Sequence, residues 1–272
     1  MSIERTLFSI LRQELSENKE EHGVLDGIGD EELHRLLYLA KKHEISHIVA
    51  YACMNAGRLG QAEESKKIRK RVMSSFYQSE QKDYALSEIS CAFEEGQIPY
   101  IPLKGLIVRE YYPETWMRSS CDIDVLIKKE DSQKAIQSLI DIGYTLQQSE
   151  TTHDYSLISP TGVHFELHYS LAQEGPFEKA NEFLNNVWDY TVDSTDAPYR
   201  KKMTNEIFIF YHVAHMAKHF IRGGCGIRPF IDLWILKRKM DLNSEVLENL
   251  LREAKLLEFY HKVIEVVNVW FE

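Results

Sequence analysis

The segment Asp122-Ile-Asp-Val-Leu-Ile127 sets two carboxylates one residue apart inside an apolar run. On an extended backbone the side-chain period of two sends Asp122 and Asp124 to one face and Ile123, Val125 and Ile127 to the other. Two neighbouring carboxylates repel each other. The arrangement is costly unless a cation neutralises them, and hard oxygen ligands on a rigid strand suit Mg²⁺ bound together with substrate phosphates. The run His164-Phe-Glu-Leu-His168 alternates in the same way, placing Glu166 on one face between two histidines, with Phe165 and Leu167 packing behind. If the two strands are neighbours, three carboxylates converge. Taken alone, a pair of aspartates in a strand also fits a polar face at a sheet edge.

The surrounding sequence divides into three regions. From residue 2 to about 97 apolar positions such as Leu7, Ile10, Leu11 and Leu15 recur at helical spacing. Gly23 to Gly29 separates a first helix from a second that begins near Asp30. A third spans Ser46 to Asn55, and a long, charge-rich one runs from Gln61 to Glu95 before Gly96. Between 98 and 195 the character changes. Ile98 to Leu103 reads as a strand entering a turn at Gly105, Cys121 to Ile127 as a second strand, Glu130 to Ile142 as a helix ended by Gly143, and Tyr144 to Gln148 as the start of another strand. Tyr155 to Ile158 and Val163 to Tyr169 flank Pro160-Thr-Gly162, a hairpin signal. Past a short segment at Trp188 to Val192 the helical period returns. It gives helices from Thr204 or Asn205 to Ile221, Pro229 to Lys239, Ser244 to Ala254 and Leu256 to Asn268. The expected fold is α+β: a small mixed sheet in 98–195 flanked by helical regions in 1–97 and 196–272.

Composition narrows the function classes. At 272 residues and 44% hydrophobic content the chain has ample material for a core. A formal charge of −10 argues against a long nucleic acid as partner, because such binding draws on a surplus of Lys and Arg. The basic run Lys66 to Arg71 is flanked by acids and reads as the solvated face of a long helix. Cys53, Cys91, Cys121 and Cys225 form no CxxC pair, so neither a zinc knuckle nor a disulfide framework is expected. Glu4 and Arg5 fall where a signal peptide builds its apolar run, and no apolar stretch approaches membrane-spanning length. A cytoplasmic chain without a membrane partner is expected.

The order of the pieces is informative: Leu103-Lys104-Gly105, Tyr112-Pro113, Arg118, Asp122-Ile-Asp-Val-Leu-Ile127 and, later, Glu166-Leu-His168, His215 and Arg228 to Asp232. From about residue 30 onward this resembles the uncharacterised bacterial branch of the DNA polymerase β-like nucleotidyltransferase superfamily. The resemblance implies a nucleotidyltransferase core that uses Mg²⁺ or Mn²⁺ and a nucleoside triphosphate. An acceptor hydroxyl would attack the α-phosphorus in line and pyrophosphate would leave, with two ions about 3.5–4 Å apart clamping the attacking and departing oxygens. Asp122 and Asp124 would bind both ions. Glu166 would hold the catalytic ion and accept the acceptor's proton. Lys104, Gly105 and Arg118 would meet the triphosphate, with Lys104-Gly105 standing where the superfamily usually has a glycine-serine pair and supplying charge in place of a hydroxyl. The plainer alternatives are an ordinary turn glycine at 105 and a surface loop residue at 118.

Other signals are weaker. His212, His215 and His219 recur on one helical face at a spacing that could ligate a transition metal, but no HExxH motif accompanies them; the plainer reading is that they pack beside the sheet or face an acceptor pocket together with His168 and Asp232. Arg228 and Asp232, four apart, most simply form an ion pair, although Asp232 is within reach of the pocket. His153-Asp154 resembles the pair of metal-dependent phosphohydrolases but introduces a strand instead of lying on a helix. A non-catalytic module that binds a nucleotide, or a protein such as a toxin, is the remaining alternative, and its mark would be lost acidic ligands. The acceptor is undefined: a small molecule, a sugar, an antibiotic or a protein side chain all present hydroxyls.

Overall fold

Ser2 starts the first helix, its hydroxyl accepting the Arg5 N–H at 3.4 Å, and Leu7, Ile10, Leu11 and Leu15 bury one stripe of it. The computed structural model describes residues 2–16, 23–58, 62–120, 122–147 and 153–272. Expectations for Gln61, Cys121 and Gln148 lie outside them. The N-terminal helices are α1 (Ile3–Leu15), α2 (Asp30–Lys42), α3 (Ser46–Asn55) and α4 (Ala62–Glu95). Acids in the first turn of α2 and lysines in its last match the helix dipole. Then follow β1 (Tyr100–Pro102), α5 (Lys104–Val108), β2 (Asp122–Ile127), α6 (Ser132–Asp141), β3 (Thr145–Leu146), β4 (Asp154–Ile158) and β5 (His164–His168). The remainder is α7 (Glu178–Asn185), β6 (Thr191–Asp193), β7 (Lys201–Met203), α8 (Asn205–Ile221), α9 (Arg228–Lys239), α10 (Ser244–Glu253) and α11 (Leu257–Phe271). The fold is α+β, and α8 to α11 lie within a turn of their expected bounds.

The main sheet has the order β1-β2-β5-β4-β3. It is mixed: β2 and β5 run parallel, and the other neighbours antiparallel. The β4–β5 hairpin turns at Gly162, whose φ of 84° lies in the left-handed region open to glycine, and Gly143 ends α6 at φ 93°. Helix α7 and the small β6–β7 sheet were not expected from the sequence. They are too short for a clear period, and the small sheet abuts β1 through the Tyr100 N–H and Tyr199 carbonyl.

Two apolar clusters position the sheet. On one side Ile123, Val125, Ile127, Phe165 and Leu167 pack with Ala85, Ile89 and Phe93 of α4 and Ala135 and Leu139 of α6. On the other, Ile101 and Leu126 join a cluster that unites α1–α3 with α7–α11. Phe8 stacks on Trp270 at 5.0 Å and meets Phe271 edge-on at 5.6 Å, so the helices from both ends of the chain close on each other. Phe165 is fully buried behind the acidic face. Phe165→Ala is expected to cost about 3–5 kcal/mol in urea unfolding, against less than about 0.5 kcal/mol for a change at exposed Tyr84.

Candidate active site

The parallel register sets Asp124 beside Glu166 and Asp122 beside His164, so the period of two brings Asp122, Asp124, Glu166 and His168 to one face. They line a cleft of about 350 Å³. His168 Nε2 lies 3.0 Å from Asp124 Oδ1 and 3.3 Å from Glu166 Oε2. Among the described residues, Asp124, Glu166 and His168 form a group whose ligand atoms all lie within 4.8 Å of one another; Asp122, on the same face, is not part of it. Burial, reinforced by the charges of Asp124 and Glu166, raises the Asp122 carboxyl above its ordinary range. Burial pushes Asp124 the same way, but the hydrogen bond and charge of His168, with Lys104 behind them, outweigh it and hold Asp124 low. Burial disfavours the His168 imidazolium, yet Asp124 and Glu166 overcome this and lift it to about 9. Crowded carboxylates that draw a proton onto a neighbouring imidazole are a donor set that fits a divalent cation.

Helices supply the opposite wall, and it is basic. Lys104 opens α5 with its ammonium 4.4 Å from the centre of the Tyr211 ring, and burial lowers it to about 7 even though Asp124 and Asp122 pull it upward. Gly105 has ordinary helical backbone instead of the expected turn. A methyl group there would make only van der Waals contact with Ser120 at 3.5 Å. Lys218 and Arg228 line the same cleft. Sequence reasoning missed Lys218 and Tyr211, although Tyr211, His215 and Lys218 follow the i, i+4, i+7 period of one α8 face.

The loop entering β2 is held by three cations. Arg118 and Arg228 both donate to the Ser119 carbonyl, at 2.7 and 3.1 Å. Lys82 donates to the Ser120 carbonyl, and the Ser120 hydroxyl donates to the Asp122 carbonyl at 3.0 Å. Asp232 corrects the expectation of a pocket residue. It is 1% exposed, does not line the cleft, and accepts from Arg118 at 2.8 and 2.9 Å and from the Tyr112 hydroxyl at 2.7 Å. The expected Arg228–Asp232 pair is likewise corrected. The buried Asp232 carboxylate offsets the largely buried Arg118 guanidinium, which leaves Arg228 to pair with Glu44 at 2.7 Å.

The α8 histidines part company. His212 is buried against the Pro229 carbonyl at 2.9 Å. His215 lines the cleft with its Nε2 2.8 Å from that of His219, and burial together with the Lys104 charge lowers the pKa of both rings. His153 and Asp154 stand at the rim, where Asp154 opens β4 opposite His168, so the pair is not on a helix.

Sequence comparison assigns the class. Residues 29–272 match the family described as uncharacterised nucleotidyltransferase, and the chain belongs to it. No curated protein matches. The chain is similar to ANT(2'')-Ia, an antibiotic-resistance factor solved in solution, with 12% identity and a TM-score of 0.47 over 69% of this chain and 97% of that one. A crystal structure of ANT(2'')-Ia in complex with adenylyl-2''-tobramycin gives the same identity and score over 66% and 99%.

Two outcomes follow from this geometry. Asp232→Ala strands the Arg118 charge and should cost about 3–5 kcal/mol by chemical denaturation, more than replacing both partners by apolar residues. For His168 the folded pKa is raised, so its contribution to stability is full below about pH 6.5 and fades as pH passes about 9. In metal-free protein, the melting-temperature advantage of wild type over His168→Gln should therefore shrink steadily from pH 6.5 to pH 9.5. Comparing the two proteins cancels the opposite trend of Lys104, whose lowered pKa makes stability rise with pH above about 7.

Proposed function

We propose that the chain transfers a nucleoside monophosphate from a nucleoside triphosphate to an acceptor hydroxyl and releases pyrophosphate, using Mg²⁺ or Mn²⁺. The observation that carries this is the register of β2 against β5, which aligns Asp124 with Glu166 on the face that also bears Asp122 and opposes them to Lys104, Lys218 and Arg228. A divalent ion, when bound, supplies Lewis-acid stabilisation of charge on the phosphate oxygens. Asp122, Asp124 and Glu166 would hold it. Lys104, Arg118, Lys218 and Arg228 draw the triphosphate to the other wall and orient its α-phosphorus toward the sheet, a contribution of positioning and electrostatics. Gly105, at the start of α5, lines the same wall beside Ser120. Glu166, with 40% of its side chain exposed, is the carboxylate open to an incoming hydroxyl and accepts its proton. His215 faces the acceptor from α8.

The same division extends to the whole chain. The core, 98–195, brings the carboxylates together with Lys104 and Arg118, while 1–97 and 196–272 bring the framing helices and 196–272 adds Lys218 and Arg228. No described helix is long and apolar enough to cross a membrane, and Cys53, Cys91 and Cys225 are free thiols, which fits a reducing cytoplasm.

The test combines binding and product. Each nucleoside triphosphate with Mg²⁺ or Mn²⁺ should raise the melting temperature of wild type, and Asp124→Asn should lose the metal-dependent part of the shift. With hydroxylated acceptors, pyrophosphate release should fall at least about a hundredfold in Asp124→Asn, since several kcal/mol of charge stabilisation are at stake. Free phosphate in place of pyrophosphate would mean hydrolysis. A nucleotide shift indifferent to metal would mean a binding module.

A further inference from the structure

Building on the metal-dependent function proposed above, we infer that His168 is itself a ligand of the ion held by Asp124 and Glu166, and that this nitrogen makes the site prefer Mn²⁺ to Mg²⁺. The tight donor group is Asp124, Glu166 and His168, not the three carboxylates alone. Nε2 sits 3.0 Å from Asp124 Oδ1 and 3.3 Å from Glu166 Oε2, close to the ~3.0 Å that separates neighbouring corners of an octahedral shell with bonds of about 2.1 Å.

The position of His168 is built in. It follows Glu166 by two residues on β5 and is paired in register with Leu126 on one side and Asp154 on the other, so three strands fix its backbone. Asp154 Oδ2 lies 4.0 Å from Nδ1, on the far side of the ring from Asp124. A carboxylate there, at ion-pair rather than hydrogen-bond distance, electrostatically favours the tautomer with the proton on Nδ1, which leaves the Nε2 lone pair directed at the ion. Mg²⁺ favours oxygen ligands and sheds water reluctantly, whereas Mn²⁺, although it too binds carboxylates and is the weakest of the first-row series toward nitrogen, accepts an imidazole more readily than Mg²⁺ does. With one nitrogen and two carboxylates, the site gains affinity for Mn²⁺ and little for Mg²⁺.

The experiment is pulsed electron paramagnetic resonance of Mn²⁺ bound to the full chain, with Mn²⁺ and Mg²⁺ affinities measured in parallel on wild type, His168→Gln and Asp124→Asn. Wild type should show modulation from a directly bound ¹⁴N that vanishes in His168→Gln. That variant should bind Mn²⁺ at least about tenfold more weakly with its Mg²⁺ affinity nearly unchanged. If His168→Gln does not fold, His168→Asp supplies the same comparison, keeping an oxygen ligand while losing the nitrogen signal and the preference for Mn²⁺. Bound Mn²⁺ without ¹⁴N modulation, or modulation that survives in the His168 variants, would overturn ligation by His168 and leave the metal-dependent function standing. Mn²⁺ that does not bind, or binds equally to Asp124→Asn, would overturn both.

Discussion

Asp122, Asp124 and Glu166 repel one another, and what forces them together is the apolar packing on the reverse of the same two strands. Ile123, Val125, Phe165 and Leu167 are fully buried against α4 and α6, each stabilising by about 1.5–3 kcal/mol relative to exposure. Core and acids cannot be separated, because alternation along β2 and β5 makes both. Slipping either strand by one residue would send the acids into the core and the isoleucine, valine, phenylalanine and leucine into the cleft. The hydrophobic term therefore pins the register, and the register assembles the donor set.

The cleft is bipolar, and its basic pole draws on Lys104 and Arg118 of the core as well as on the C-terminal helices. Its acids and His168 lie on the sheet, whereas Lys218 and Arg228 project from α8 and α9. The joints between these parts are themselves polar. Glu44 pairs with Arg228, His47 reaches the Met117 carbonyl at 2.8 Å, and Lys82 reaches Ser120. A net charge of −10 thus coexists with a basic wall, since overall balance says nothing of how a few cations are grouped.

Much of this was legible in the sequence because it is periodic. Asp-Ile-Asp-Val-Leu-Ile and His-Phe-Glu-Leu-His each declare a two-faced strand, and Asn205 to Ile221 declares a helix, so the local elements and the shared face of Asp122 and Asp124 could be read from spacing alone. Whether β2 and β5 are neighbours could not, since parallel pairing joins residues about forty positions apart through no local signal. The expected ion pair failed for the same reason. Four-residue spacing favoured Arg228 with Asp232, but burial of Arg118 made a stronger claim on that carboxylate. Lys218 was visible in principle on the α8 face with Tyr211 and His215, but a lysine on a helix carries no mark of its own until a cleft is known to lie opposite it.

The buried Arg118–Asp232 pair makes sense only in relation to that cleft. An ion pair withdrawn from water is seldom worth more than well-packed apolar side chains of the same volume, so stability alone does not account for it. Arg118 is 12% exposed, yet it lines the cleft and donates to the Ser119 carbonyl in the loop that leads into Asp122. Two N–H groups on Asp232 and one on Ser119 fix the guanidinium plane, and Tyr112 fixes Asp232 in turn. An apolar pair would fill the space but leave the Ser119 carbonyl with Arg228 as its remaining cationic donor and remove a fixed positive charge from beside the carboxylates. What the pair contributes is orientation: it ties α9 to the loop before β2, so that the wall bearing the cations and the strand bearing the acids hold a defined position relative to each other.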